Sequence, residues 1–150
     1  MAGAAADRLT VLTPREASIF ACLVDTVAAP EPVLPPVAQT DAAFFFDRWL
    51  AASPRLNAIG MRVLLHAAEL GPWLLGYGGR LRQLSVPDRV RYLDAVERNR
   101  NPHVRQLTKL LKGTAYLAYY GDDDVMLRVG YDAEANVERG RALRAAEGRP

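Results

Sequence analysis

The sequence predicts an all-α fold, a single domain of about five main helices, and three observations indicate it. Apolar residues recur at helical spacing in several segments, most of which begin with a capping residue followed by proline. No stretch shows the sustained alternation of apolar and polar residues that a half-buried strand requires. A chain of 150 residues, half of them hydrophobic, is long enough to bury one core.

The composition excludes several classes of protein. The hydrophobic content is too high for a disordered chain, and the single cysteine, Cys22, cannot form an intrachain disulfide. The longest apolar runs, such as 44–46 and 73–75, are far shorter than the roughly 20 residues that cross a bilayer. No secretory or twin-arginine signal is visible, so we expect a cytoplasmic protein without a membrane span.

The first helix is predicted to begin at a capping box after a flexible N-terminus, 1–11. Thr13 is the cap, Pro14 lies in the first turn, and Glu16 reaches back to the cap. The broad apolar face that follows comprises Ala17, Ile19, Phe20, Ala21, Leu23, Val24, Val27 and Ala28. Four prolines between positions 30 and 36 then predict an extended loop.

The second and third helices are predicted to follow this proline-rich loop. The second spans Ala42–Ala52, and the third runs from Pro54 to about Leu70. The apolar stripe of the third helix consists of Ile59, Val63, Leu64, Ala67 and Leu70. Gly71–Pro72 is expected to break the chain before an irregular, glycine-rich segment at 73–79.

The fourth and fifth helices are predicted to begin at Ser85 and at Asn101–Pro102. The fourth runs to about Asn99, and its inward residues are Val86, Val90, Leu93 and Val96. The fifth ends at Tyr119–Tyr120, where Gly121 suits a left-handed cap. Its apolar face comprises Val104, Leu107, Leu111, Thr114 and Ala118, flanked by Leu110 and Leu117.

The chain after the fifth helix is predicted to form one short helix and then a tail. Asp122–Asp124 begins a short helix that runs through Arg128. Large aliphatic side chains are sparse beyond Ala133, so 133–150 is expected to be a frayed or disordered tail. The helical domain is therefore expected to span 12–132.

The titratable residues do not form a recognisable catalytic or metal-binding set. His66 and Glu69 share one face of a helix, but no further ligand has matching spacing. Cys22 has no histidine nearby in the sequence that could activate it. Carboxylates at 122–124 favour the start of a helix without a metal. We predict no catalytic, cofactor-binding or metal-binding residue, although His66 and Glu69 as an acid–base pair remain an alternative.

The arginines between Arg80 and Arg105 do not predict binding to nucleic acid. Asp88, Asp94 and Glu97 are interleaved with them, and the net charge is only +2. Mixed signs of this kind are typical of a solvated face or of a protein interface.

The aromatic residues predict a partner-facing surface, with wholly internal packing as the alternative. Phe44, Phe45 and Phe46 are consecutive, so their side chains point in three directions around a helix. One small helical layer cannot easily bury all three together with Trp49. Aromatic side chains and arginine are enriched where proteins bind each other.

Three motifs follow one another along the chain in a defined order. The first, at 12–16, reads L-T-P-R-E and opens a helix that precedes a proline-containing loop. The second, at 84–89, reads L-S-V-P-D-R, and the third, at 117–132, contains Y-Y-G-D-D-D-V-M-L-R-V-G-Y. In this order they resemble the gluconate 2-dehydrogenase subunit 3 family, whose ending reads YY-S-x-P-x-V-W-x-x-x-G-Y.

The resemblance implies a small, non-catalytic subunit of a hetero-oligomer. Its partner would be a large oxidoreductase of the glucose-methanol-choline (GMC) type, which carries FAD and oxidises alcohols or sugars. The predicted partner contacts are Tyr119, Tyr120, Val125, Met126, Gly130 and Tyr131, followed by Phe44, Phe45, Phe46 and Trp49. The alternative is an independent helical module that binds a small apolar ligand between its helices.

Overall fold

The computed structural model describes residues 9–148, and this part of the chain is all-helical. Its seven α-helices are α1 (Pro14–Ala28), α2 (Ala42–Ala52), α3 (Arg55–Leu74), α4 (Val86–Glu97), α5 (Pro102–Tyr120), α6 (Asp123–Arg128) and α7 (Ala133–Ala146). Short 3₁₀ turns occur at Val37–Gln39 and Leu81–Gln83, and no strand occurs between residues 9 and 148. The predicted all-α, single-domain class is confirmed, because five main helices form one core.

The first helix, α1, lies at the centre and contacts α2, α3, α4 and α5. Its capping box forms as predicted, since the Glu16 carboxylate accepts a hydrogen bond from the Thr13 N–H at 2.8 Å. The side chains that α1 buries completely are Ile19, Phe20, Leu23 and Val24. Burying side chains of this size contributes about 1.5–3 kcal/mol each. The Phe20 ring also stacks on Phe46 of α2, with centroids 4.1 Å apart.

The segment that precedes α1 is fixed by α2. The buried carboxylate of Asp47 accepts hydrogen bonds from the backbone N–H groups of Thr10, Val11 and Leu12 at 2.7–2.9 Å. Burial alone would raise the pKa of Asp47, but these hydrogen bonds outweigh it and lower the pKa. The expected flexibility of 1–11 therefore does not extend to these residues, while 1–8 lie outside the described part of the chain.

The proline-rich loop between α1 and α2 was predicted to be extended, but it contains a hydrogen-bonded turn, in which the Leu34 N–H donates to the Glu31 carbonyl oxygen at 2.8 Å, and the 3₁₀ turn at Val37–Gln39. The loop is also attached to α5. The buried hydroxyl of Tyr119 donates a hydrogen bond to the carbonyl oxygen of Pro35 at 2.6 Å. Val37, at the end of the loop, is buried in the core. The loop is thus part of the packed domain.

The third helix, α3, is longer than the sequence predicts. It continues through Gly71–Pro72 and ends at Leu74. Gly71 lies so close to the hydroxyl of Tyr92 on α4 that a Cβ atom at this position would overlap it. Pro72 is buried in the same region.

The predicted apolar stripe of α3 lies mainly on the solvent side. Ile59, Val63 and Leu70 are exposed. The residues that α3 buries are Ala58, Met61, Leu65, Ala68, Glu69 and Pro72. Because α3 is apolar on two sides, its contacts with α1 and α2 decide which side is buried.

The fourth and fifth helices begin where the sequence predicts, but the buried face of α4 differs. Val86 and Val90 are exposed, whereas Tyr92 and Leu93 are buried. Val86 lies in the first turn, where the chain is still entering the helix. The inward placement predicted for these two valines is therefore wrong.

The connection between α5 and α6 is tighter than predicted. Gly121 is right-handed, with φ −85°, so the predicted left-handed cap is wrong. The Asp122 side chain caps α6 immediately afterwards by accepting from the N–H groups of Asp124 and Val125. Helix α6 thus begins two residues after Gly121, and neither Gly121 nor Asp122 is left-handed.

The C-terminal segment is helical where a frayed or disordered tail was expected. Asp132 caps α7, since its side chain accepts a hydrogen bond from the Ala135 N–H at 3.0 Å. None of the side chains that the structure describes in α7 is buried. Local capping, and not packing, therefore accounts for this helix.

Candidate partner-binding surface

Three of the ten residues predicted to contact a partner belong to the core. Phe46, Tyr119 and Val125 have no exposed surface. Phe46 packs against the rings of Phe20 and Trp49, and Tyr119 holds the proline-rich loop. In this fold these three side chains support the surface and offer no area to a partner.

The other seven predicted residues reach the surface to different extents. Those that are part-buried are Phe44, Phe45 and Met126, and those that are exposed are Trp49, Tyr120, Gly130 and Tyr131. The three consecutive phenylalanines do point in different directions, because only Phe46 is completely buried. Tyr120 stacks on Tyr116, with ring centroids 6.2 Å apart.

The end of the third motif forms a shallow cleft of about 380 Å³, which we call the C-terminal cleft. It is lined by Asp123, Met126, Leu127, Tyr131, Asp132 and Glu134. Gly130 has a φ of +79°, a value that favours glycine, and so turns the chain back towards α6. The Tyr131 N–H then donates to the carbonyl oxygen of Met126 at 2.9 Å. This turn brings Met126 and Tyr131 together.

A larger apolar surface lies between α3 and α5. Two adjoining cavities of about 240 and 420 Å³ share Leu64 and Leu107, and together they form what we call the α3–α5 groove. Its lining is Trp49, Leu56, Asn57, Gly60, Met61, Leu64, Ala67, Ala68, Tyr92, Leu93, Val96, Val104, Leu107, Thr108, Leu110 and Leu111. No charged residue is among them, so a partner would meet an almost entirely apolar surface.

This groove was not predicted from the sequence, because several of its residues were expected in the core. Leu107 and Leu110 were expected on or beside the inward face of α5, yet both are about half exposed. A signal was present in α3, where apolar residues occupy more of the circumference than one buried face needs. An excess of apolar positions on one helix is what a second contact surface requires.

Tyr92 is the one groove residue with a free polar group and little exposure. It is only 4% exposed, and its hydroxyl makes no hydrogen bond with any residue between 9 and 148. Burial, with a smaller contribution from Tyr77, raises the pKa of Tyr92 to about 12. The hydroxyl therefore stays protonated at neutral pH and can donate a hydrogen bond.

Exposed aliphatic and aromatic side chains occur on α3, α5 and α6. Contiguous exposed apolar surface of this kind is typical of proteins that bind a partner.

Glu16 is held by α3 as well as by its own cap. Its buried carboxylate accepts from Nε of Arg62 at 2.9 Å and lies 3.1 Å from Nε2 of His66. Burial alone would raise the pKa of Glu16, but hydrogen bonds from Arg62 and Thr13 outweigh it and lower the pKa to about 2. The cluster joins α1 to α3.

His66 and Glu69 do not form the acid–base pair that was left open as an alternative. His66 contacts Glu16, whereas the buried Glu69 accepts from Nε of Arg82 at 3.0 Å and from the backbone N–H of Arg82 at 3.3 Å. The two side chains thus serve different contacts. His66 joins α3 to α1, and Glu69 joins α3 to the 3₁₀ turn that contains Arg82.

Cys22 also contacts an arginine from another helix. Nη1 of Arg89 on α4 lies 3.1 Å from its sulfur and 3.3 Å from the Thr26 hydroxyl. Burial raises the pKa of the Cys22 thiol, against the opposing charge of Arg89. The Cys22 sulfur thus accepts a hydrogen bond from Arg89, while burial disfavours its thiolate form.

No three His, Cys, Asp or Glu side chains between residues 9 and 148 lie close enough together to hold a metal ion. No helix in the same range combines the length and the apolar composition needed to cross a membrane. Comparison with family models, with curated proteins and with solved structures finds no match to this chain.

Proposed function

We propose that this chain is a non-catalytic small subunit that binds a large, FAD-dependent GMC-type oxidoreductase acting on alcohols or sugars. The α3–α5 groove carries the proposal, because it is an open, uncharged apolar surface that no residue between 9 and 148 covers. The three motifs that resemble the subunit 3 family supply the kind of partner. FAD belongs to that partner, and the complex is a hetero-oligomer.

The groove and the C-terminal cleft would contribute in different ways. Burial of apolar surface in the groove contributes about 25 cal/mol per Å², before the costs of ordering both partners. The cleft presents Tyr131 beside the carboxylates of Asp132 and Glu134, an arrangement suited to an aromatic and polar rim. The groove therefore supplies affinity, and the cleft supplies orientation.

Stabilisation of the large subunit follows from this binding. A small subunit that binds only the folded flavoprotein shifts the folding equilibrium of the flavoprotein by mass action. This effect needs no catalytic residue in the small subunit. The contacts that arginines make with Glu16, Glu69 and Cys22 are consistent with a role in binding alone, because these contacts hold segments of the fold together.

The proposal is tested by co-expressing the tagged chain with a GMC-type flavoprotein encoded beside its gene. We expect a complex that carries flavin absorbance at purification. Leu107→Glu should weaken binding on the order of a hundredfold, because a charge would be buried in the apolar groove. Leu143→Glu is the matched control, since Leu143 is also exposed but lies on α7.

Two results would contradict the proposal. One is the absence of any flavoprotein gene nearby together with no flavin in the purified sample. The other is an unchanged complex with Leu107→Glu.

The Tyr92 hydroxyl favours a second candidate, a small apolar ligand with one hydrogen-bond acceptor. Such a ligand would occupy the 240 Å³ end of the groove. A medium-chain fatty acid that raises the Tm of the isolated chain, but not of Tyr92→Phe, would support this candidate.

A further inference from the structure

The C-terminal end of α3 carries three large apolar side chains that are all exposed. Trp73, Leu74 and Leu75 are consecutive, and 61%, 72% and 62% of their respective surfaces are exposed. Consecutive residues of a helix point about 100° apart, so this end of α3 faces solvent on most of its circumference. The exposed apolar surface is therefore convex, in contrast to the α3–α5 groove.

The turn that follows α3 projects as well. A Cβ atom at Gly76 or Gly78 would meet no atom of the described residues within 4 Å. Tyr77 lies between them and returns the chain to the fold, because its ring packs edge-on against Tyr92, with centroids 5.9 Å apart. We call residues 73–78 the α3 tip.

Backbone hydrogen bonds close the end of α3. Three consecutive N–H groups donate to carbonyl oxygens of its last turn at 2.9–3.2 Å, in the pairs Leu75 to Gly71, Gly76 to Trp73 and Tyr77 to Pro72. An unpaired backbone group is costly in a lipid layer, because no water is available there to pair with it. The end of α3 can therefore leave water without losing these hydrogen bonds.

The sequence around the α3 tip carries positive charge only. The tip itself has no charged side chain, and residues 70–87 contain two arginines, Arg80 and Arg82, and no acidic residue. Arg82 is paired with a buried glutamate, and Asp88, the next acidic residue, is paired with Arg91. Arg80 is exposed and makes no ion pair with any residue that the structure describes. Its charge is therefore left for a negatively charged partner.

We infer that the α3 tip inserts into the headgroup region of an anionic lipid surface. Trp73, Leu74 and Leu75 enter the boundary between headgroups and acyl chains, where tryptophan and aliphatic side chains are favoured. Arg80, two residues after the tip, pairs with lipid phosphate groups. A lipid layer yields around a convex apolar tip, whereas a protein partner would need a cavity of matching shape.

This contact is separate from the proposed binding of a flavoprotein. None of the residues of the α3 tip lines the α3–α5 groove. A lipid surface and a protein partner can therefore be bound at the same time.

Vesicle flotation of the purified full chain tests the inference. We expect binding to vesicles made of equal parts of phosphatidylcholine and phosphatidylglycerol, and weaker binding to phosphatidylcholine alone. Leu74→Glu should lower the partition coefficient at least about tenfold, because a charged side chain would enter the lipid. Leu56→Glu is the matched control, since Leu56 is also exposed but lies at the opposite end of α3, in the groove. Circular dichroism checks that both variants keep their helical content.

The two tryptophans locate the contact. Trp49→Phe leaves Trp73 as the one tryptophan of the chain, and Trp73→Phe leaves Trp49, which lines the groove. With Trp73 alone, we expect anionic vesicles to shift the fluorescence to shorter wavelength and brominated lipid to quench it. With Trp49 alone, neither change is expected.

Arg80→Gln tests the contribution of charge. It should weaken binding to the anionic vesicles about fivefold and leave binding to phosphatidylcholine alone unchanged. Arg55→Gln is the matched control, because Arg55 is exposed at the other end of α3 and likewise makes no ion pair with a described residue.

No binding to the anionic vesicles would overturn the inference in favour of a protein partner for the tip. Equal losses with Leu74→Glu and Leu56→Glu, or fluorescence changes confined to Trp49, would also overturn it, because lipid would then occupy the groove. These outcomes do not depend on flavin in a co-purified partner, so failure of the proposed function remains distinguishable.

Discussion

At the scale of single residues, buried carboxylates hold the N-terminal half of the chain together. Glu16 accepts from Thr13 and from Arg62, and Asp47 accepts from three consecutive backbone N–H groups. At each carboxylate, hydrogen bonds from the protein take the place of hydrogen bonds from water, so Glu16 and Asp47 are both ionised in the folded state at neutral pH. Their contribution to stability must therefore depend on pH.

Glu16 should make the protein less stable in acid. Its pKa is about 2 in the folded state against an ordinary value of 4.5, so its stabilising effect is complete above pH 4.5. The effect is lost as the pH falls from about 4.5 through about 2, and it amounts to about 3 kcal/mol. Urea unfolding of the wild type and Glu16→Gln, measured between pH 7 and pH 2.5, checks this.

The Glu16→Gln variant should be less stable at pH 7 and should lose less stability on acidification. Glu31→Gln is the control, since Glu31 lies exposed in the proline-rich loop. If the curves for wild type and Glu16→Gln ran parallel, the hydrogen bonds to Glu16 would contribute nothing.

At the scale of helices, α3 and α4 approach closely at Gly71, in the part of α3 that lies beyond its predicted end. Gly71→Ala should destabilise the protein by about 1–3 kcal/mol, because the new Cβ would overlap the Tyr92 hydroxyl. Tyr92→Phe removes that oxygen and should restore part of the loss. Chemical denaturation of both single variants and the double variant measures this coupling.

Gly60→Ala is the matched control on the same helix. A Cβ at Gly60 would meet no atom within 4 Å, so this change should be neutral or slightly stabilising. An equal loss of stability in Gly60→Ala and Gly71→Ala would contradict the packing explanation.

The helices show which features the sequence could predict. Thr13, Ser85 and Asn101 set the start of their helices through hydrogen bonds within three residues, so local sequence was sufficient. The buried side of α3 depends on contacts with α1 and α2, which lie elsewhere in the sequence. The α3–α5 groove was missed for the same reason, because its residues resemble core residues when each helix is considered alone.

At the scale of the whole molecule, α7 adds a helix but little packing. Removal of residues 133–150 should change the Tm by less than about 2 °C, because no side chain that the structure describes there is buried. Thermal unfolding followed by circular dichroism checks this. A fall of more than about 5 °C would show that α7 packs against the domain in solution.

The attachment of Asp47 to residues 10–12 has a consequence for how the molecule opens. The amide hydrogens of Thr10, Val11 and Leu12 can exchange with solvent deuterium only when α2 moves away or Asp47 releases them. Local opening of the N-terminal segment is therefore coupled to α2, which lies more than 30 residues further along the chain. The first ordered residues and the second helix behave as one cooperative unit.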